Sequence, residues 1–358
     1  MPPETTSPDP KKLTQKLVLL AGMMTGAHVA IMVVLGMRLG LYKALAGAGR
    51  LTPDDLARAT GLNERWLREW LRGQAAAGII DYAGGTFELS AEVALLLSDE
   101  DQLSYLGGNF LPLPQRAAMV DNLMEAFRTG LGYSFDERGA EAAASTEGMF
   151  RNWYRQVLVP TALPMLEGLV ARLTTGAGVA DVGCGSGLAL VEMARAFPKS
   201  RFHGYDTSMH ALHRAVANRD DAGLTNIDFH DPTTDPLPSD ASVDLVTTFD
   251  CLHDMTHPEI VVAAIRRAIK PDGFWLIADI NGAPTFEEQL GNATTPMLYA
   301  MSVLSCMSSS LSAPGGAGLG TLGLPEPAMR ALVESHGFSR FRRLDIPHPI
   351  NAFYEVRP

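Results

Sequence analysis

The segment Val179–Ala194, VADVGCGSGLALVEMA, constrains the fold more than any other stretch of the chain. An apolar run carries an acid at Asp181, turns through glycines at 183, 185 and 187, and becomes helical from about Leu188. A strand that enters a helix through a glycine-rich turn is the repeating unit of a parallel sheet. The surrounding chain keeps that alternation. Strands are predicted at Gly178–Val182, Arg201–Tyr205, Ile227–His230, Val243–Phe249, Phe274–Asp279, Arg340–Asp345 and Ala352–Val356, with helices between the first five. This is the pattern of an α/β protein with a doubly wound, mostly parallel seven-stranded sheet, closed at one edge by a hairpin.

With 358 residues the chain exceeds one ordinary core, and a second domain is expected ahead of the sheet. Thr52-Pro53-Asp54-Asp55 reads as a capped helix start and Gly61 as its end. Asn63 opens a second helix with Trp66, Leu67, Trp70 and Leu71 at helical spacing, both tryptophans expected in the core. Ile79–Tyr82, a Gly84-Gly85 turn and Thr86–Leu89 then form a hairpin, which completes a winged helix. The expected organisation is a disordered tail over 1–12, a winged-helix and dimerisation domain over 13–98, a helical linker with substrate-side helices over 99–150, and the sheet domain over 151–358. An insertion at 282–324, with Met297, Tyr299, Met301 and Met307, suits an adaptable pocket wall or lid.

Val18–Met37 holds no Lys, Arg, Asp or Glu and is long enough to span a bilayer. Its glycines, His28 and direct continuation into the helical domain favour a buried helix, shared with a second subunit, over membrane insertion. A net charge of -11 argues against nucleic acid as the main partner. Three widely separated cysteines lack metal spacing and fit a reduced, cytoplasmic protein.

Acids and glycines recur at the carboxyl ends of the first four strands, the rim where open α/β sheets bind ligands. Asp181 closes the first, Asp206 with Thr207 follows the second, Asp231-Pro232 the third, and Phe249-Asp250 the fourth. A phosphate beside Asp181 would be repelled, so the ligand is expected to bring a cation there. Asp-Val-Gly-Cys-Gly-Ser-Gly, Gly-Tyr-Asp, VDLVTTFD and Ile-Lys-Pro-Asp-Gly-Phe together resemble class I methyltransferases over about residues 150–358. The preceding winged helix is similar to a mycobacterial methyltransferase group and to small-molecule O-methyltransferases. The resemblance implies a Rossmann-like methyltransferase fold and S-adenosyl-L-methionine as cofactor, leaving S-adenosyl-L-homocysteine. It places the methionine moiety at Asp181, Gly183 and Gly185, the ribose at Asp206 and the adenine at Asp231, with Cys184 and Gly187 of the same turn also at the cofactor. Tyr154, and Trp153 beside it, would cover the sulfonium.

Cys251–His257 resembles the segment of O-methyltransferases that carries the histidine base. His253 is thus a candidate to take a proton from an attacking hydroxyl, with Asp254 beside it; packing beside the cofactor is its other reading. His253, Asp254 and His257 also have the composition of a metal site, but no third spaced ligand supports one, and no metal is expected. The implied function is methyl transfer to a small, fairly apolar acceptor, at oxygen first, in a homodimer. Two alternatives compete: a winged-helix transcription regulator with a cofactor-sensing domain, and a methyltransferase fold repurposed for other chemistry.

Overall fold

The computed structural model describes residues 7–358. They form two compact units, divided between Pro114 and Gln115. The division falls inside the segment expected to be a linker, so residues 115–150 belong with the sheet rather than between domains.

In the first unit, α1 (Pro10–Arg38) begins with Asp9 accepting a hydrogen bond from Lys11 N at 2.9 Å. Of the expected tail, residues 1–6 lie outside the described residues, whereas Pro10–Lys12 are helical. Then follow α2 (Leu41–Leu45), α3 (Pro53–Thr60), α4 (Glu64–Ala76), the hairpin β1 (Asp81–Ala83) and β2 (Thr86–Glu88), and α5 (Ala91–Leu97). Thr52 and Asp55 cap α3 reciprocally, and Leu51 bridges Phe87 beside the hairpin. The expected winged helix is thus present.

One expectation fails here, the burial of Trp66, and the expected burial of α1 is not met within one copy. Only Val33, Val34 and Gly36 of α1 are buried, while Leu17 is 67% and Met24 64% exposed. Within this unit only the carboxyl-terminal part of α1 meets α4, where Trp70 Nε1 donates to Met32 O at 2.9 Å. Trp66 is likewise 80% exposed. The buried stripe of α4 is Leu67, Trp70, Leu71 and Gln74, and position 66 lies about 100° around the helix from Leu67.

In the second unit the sheet order is β5-β4-β3-β6-β7-β9-β8. The strands are β3 (Gly178–Val182), β4 (Arg201–Tyr205), β5 (Ile227–His230), β6 (Val243–Phe249), β7 (Ile269–Ile280), β8 (Arg340–Leu344) and β9 (Asn351–Arg357). The first five are parallel; β9 runs antiparallel to both β7 and β8. β7 starts five residues earlier than expected because Val243 pairs with Ile269 before a register shift brings Leu245 opposite Phe274. Successive connections leave β3 in opposite directions, toward β4 and toward β6, which opens a crevice at their carboxyl ends. Phe202, Phe274, Trp275 and Phe353 are fully buried on the sheet, each contributing about 2 kcal/mol through apolar burial.

The helix Gly139–Trp153 joins this unit through Glu147, which is buried and accepts from Arg214 Nη2 at 2.9 Å and Asn218 Nδ2 at 3.1 Å. The helix widens over Tyr154–Ala162, where Pro160 removes a backbone donor.

Candidate active site

The carboxyl ends of β3, β4 and β6 open into a cavity of about 810 Å³ within the second unit. The glycine turn forms part of its wall, and four of its N–H groups are already used. Gly183 and Cys184 donate to Tyr205 O at 2.8 and 3.1 Å, Gly185 to Asp206 Oδ2 at 2.8 Å, and Gly187 to Cys184 O at 2.9 Å. A phosphate cradle needs such donors free. Gly185 has φ +53°, and a Cβ there would meet no protein atom within 4 Å, so its α-carbon faces open cavity.

Around this turn the carboxylates are unusual. Asp181 is buried, and Thr247 Oγ1 donates to its Oδ1 at 2.6 Å. Burial pushes its carboxyl up to about 7, the Thr247 bond opposing and the Asp206 charge adding. Asp206 accepts from the backbone N–H groups of Gly185 and Ser208, the latter also at 2.8 Å, yet burial still holds it above the usual range. Among the described residues no lysine or arginine hydrogen-bonds either group. A cation with hydroxyl donors in the cavity would hydrogen-bond Asp206 and offset the Asp181 charge through space. The cradle therefore fits an aminoacyl nucleoside such as S-adenosylmethionine.

At the end of β6, Asp250 takes φ +51°, a left-handed conformation that Asp tolerates better than most residues, and accepts a hydrogen bond from Asn351 Nδ2. Burial and the Asp279 charge push it up to about 7. His253 is buried, its Nδ1 paired with Asp279 Oδ1 at 2.6 Å. Burial works to lower its proton affinity, but the Asp279 carboxylate and Cys306 outweigh it and hold it well above the ordinary histidine value. A nitrogen of His253, a carboxylate oxygen of Asp254 and Cys306 Sγ lie within 4.8 Å of one another. Burial raises Asp254 to about 6 against the pull of His253 and Arg138.

Of the residues singled out in the sequence, Tyr154, Gly183, Cys184, Gly185, Asp206, Thr207, Pro232, Phe249, Asp250, His253 and Asp254 line the cavity. Three do not. Asp181 lies buried off the wall, against Thr247. Gly187 faces packing instead: a Cβ there would come 2.6 Å from Phe229 Cζ. Asp231 turns away, its Oδ1 accepting from Thr233 N at 2.9 Å and Thr233 Oγ1 at 2.7 Å. Trp153 stacks on Phe353 at 5.0 Å in the core, leaving Tyr154 as the aromatic residue of that pair on the wall. His257 lies outside the histidine cluster, 3.5 Å from Glu259. Sequence reasoning missed Asp279, Cys306 and Arg116. Asp279 stands at the carboxyl end of a strand and was open to the same rim rule; the other two carry no local signal.

Residues 173–310 match the family described as "Methyltransferase domain", and residues 27–99 match "Rv2258c-like winged HTH domain". The chain carries a class I methyltransferase domain behind a winged helix. The chain is 32% identical over 124 residues to a ubiquinone biosynthesis O-methyltransferase of Paracidovorax citrulli, covering 34% of this chain and 50% of that one. The chain spans about half the length of the first curated relatives it matches. A solved structure of a putative O-methyltransferase from Nostoc punctiforme superposes with a TM-score of 0.70 at 16% identity, over 98% of this chain and 99% of that one. Human N-acetylserotonin methyltransferase, solved in complex with SAM, gives 0.67 at 16% identity over the same shares.

The buried acid gives the methyltransferase domain a pH signature. With its carboxyl raised, Asp181 binds a proton in the folded state that the unfolded chain releases between 3.8 and about 7. Its stabilising contribution is complete below that window and is lost as pH rises through it. Asp181→Asn keeps an acceptor for Thr247 and removes the ionisation. Urea unfolding midpoints of the ligand-free protein should therefore favour Asp181→Asn over wild type increasingly from pH 4.5 to 7.5. A difference that stays constant across the window contradicts this.

Proposed function

We propose that the protein is an S-adenosylmethionine-dependent methyltransferase acting at oxygen on a small, fairly apolar acceptor. The observation that carries the reading is the pair of carboxylates, buried Asp181 and half-buried Asp206, to which no lysine or arginine is hydrogen-bonded among the described residues, around a turn in which Gly183, Cys184, Gly185 and Gly187 have already used their N–H groups. When bound, the cofactor supplies a methyl group on a positively charged sulfur. Asp206 has lone pairs left for ribose hydroxyls, and Asp181 provides negative charge near the aminoacyl end. Tyr154, packed edge-on to Phe249 at 5.4 Å, gives the cavity an aromatic surface for a sulfonium. Pro232, and not Asp231, borders the adenine end.

His253 takes the proton of the acceptor hydroxyl at the nitrogen not bound to Asp279. Asp279 fixes the tautomer by accepting from Nδ1 and strengthens the imidazole as a base; it is a positioning residue. The wall formed by Met255, Met301, Phe150 and Phe135 excludes water and holds an apolar acceptor close to the histidine. The regulator reading has less to stand on. Arg65 pairs with Glu69 and Arg68 with Glu64 on α4, which leaves few free cations for DNA phosphates.

We also infer a homodimer in which a second copy covers α1. Among the described residues α1 is the one helix long and apolar enough to cross a membrane, and most of its apolar surface is open. A partner copy explains that surface while keeping the enzyme in solution, and the free cysteines suit a reduced cytoplasm. Light scattering of the purified protein without detergent should return twice 38.5 kDa; a monomeric mass overturns this part.

The activity is tested by following labelled methyl from S-adenosylmethionine into a panel of phenols and hydroxylated heterocycles. His253→Gln should lower kcat by about 10²–10⁴-fold while retaining S-adenosylhomocysteine affinity. Activity of the unmutated enzyme should rise with pH as His253 loses its proton. Asp279→Asn, by removing the carboxylate that raises it, should move that rise to lower pH. Near-normal turnover in His253→Gln removes it as the base.

A further inference from the structure

Two arginines at the cavity have no role in the chemistry above. Arg116 lines the cavity, half-buried, and among the described residues no carboxylate is hydrogen-bonded or ion-paired to it. Arg138 stands behind the same wall. Its guanidinium lies 4.6 Å from the ring centre of Phe135, and Nη1 donates to Ser305 Oγ; both partners line the cavity. Its Nε and Nη2 are buried with no hydrogen-bond partner. Burial disfavours both cations, and Arg138 also feels the charge of Arg116, while Cys306 acts in favour of each. Asp254 acts on Arg138 by its charge, without an ion pair between the two.

A buried cation is costly unless an anion reaches it, and a buried unpaired donor costs its desolvation as well. A guanidinium on the cavity wall with no carboxylate bound to it, backed by a second with spare buried donors, therefore marks a place where negative charge arrives from outside. The same wall contains His253, Asp254 and Cys306, a set with the composition of a metal site. The adjacent arginines oppose a divalent cation there and favour an anion.

We propose that the methyl acceptor carries a carboxylate that docks on Arg116, with Arg138 adding field from behind, while its hydroxyl reaches His253. The planar guanidinium fork matches a carboxylate in geometry and charge. The apolar wall of Phe135, Phe150 and Met301 suits the body of the molecule, so the substrate class is a hydroxylated aromatic or aliphatic acid. Arg116 selects among acceptors, and Arg138 positions. This inference rests on the methyltransferase reading.

The test uses the full-length protein saturated with S-adenosylhomocysteine. It is titrated with 4-hydroxybenzoate, salicylate and 4-hydroxycinnamate, each against its own methyl ester. The acids should bind at least about tenfold tighter than their esters, a difference of about 1.4 kcal/mol. Arg116→Gln should abolish the preference and Arg116→Lys retain part of it, with cofactor-product affinity unchanged in both. Where Arg116→Gln does not fold, the acid-against-ester comparison in the unmutated protein decides. Failure of the wild type to take up S-adenosylhomocysteine overturns the methyltransferase reading, and this inference with it. Intact uptake with no acid bound, equal affinity within the pairs, or a preference that survives Arg116→Gln overturns the carboxylate site alone.

Discussion

Negative charge buried at the carboxyl ends of the central strands is the constraint on which the rest of the methyltransferase domain depends. Asp181, Asp206, Asp250 and Asp279 stand at the ends of β3, β4, β6 and β7. Asp181 and Asp279 are buried, Asp206 and Asp250 half-buried on the cavity wall, and desolvation pushes Asp181, Asp206 and Asp250 toward protonation. Folding therefore creates an electrostatic demand that the protein meets only in part, through Thr247, Asn351, His253 and backbone N–H groups. A cationic cofactor would meet the unmet remainder.

Charge is divided across the cavity. Near the glycine turn it is negative without a protein cation, whereas the wall that carries Arg116, with Arg138 behind it, is positive. His253 joins the two, bound to Asp279 by Nδ1 and lying near Asp254 and Cys306. A cationic methyl donor and an anionic acceptor would each be drawn to the opposite charge and meet at the histidine. Alignment of donor and acceptor in a water-poor site is the main resource of such a transfer.

Much of the fold was legible in the sequence because strand and helix periods are local. All seven sheet strands lie within a few residues of their expected positions, and the largest error, the early start of β7, comes from a bulge that pairing imposes. Side-chain direction was less legible. Gly187 and Asp231 belong to the right motifs but face Phe229 and Thr233, since a motif does not say which way a residue points. Arg116, Arg138 and Cys306 come from segments with no periodic signal, joined to the site by contacts far apart in sequence. Trp66 was misread because apolar spacing alone does not say which face of α4 the core takes, and α1 leaves most of its apolar side chains uncovered within one copy.

The central claim is that the glycine turn with Asp181 and Asp206 is a cation-binding nucleoside site. Calorimetric titration of the purified protein with S-adenosylhomocysteine, beside Asp206→Ala, tests it most directly. Saturable one-to-one binding by the wild type, lost in a folded Asp206→Ala protein, is the predicted result. A folded wild type that takes up no S-adenosylhomocysteine, or an Asp206→Ala variant that binds it equally well, contradicts the account.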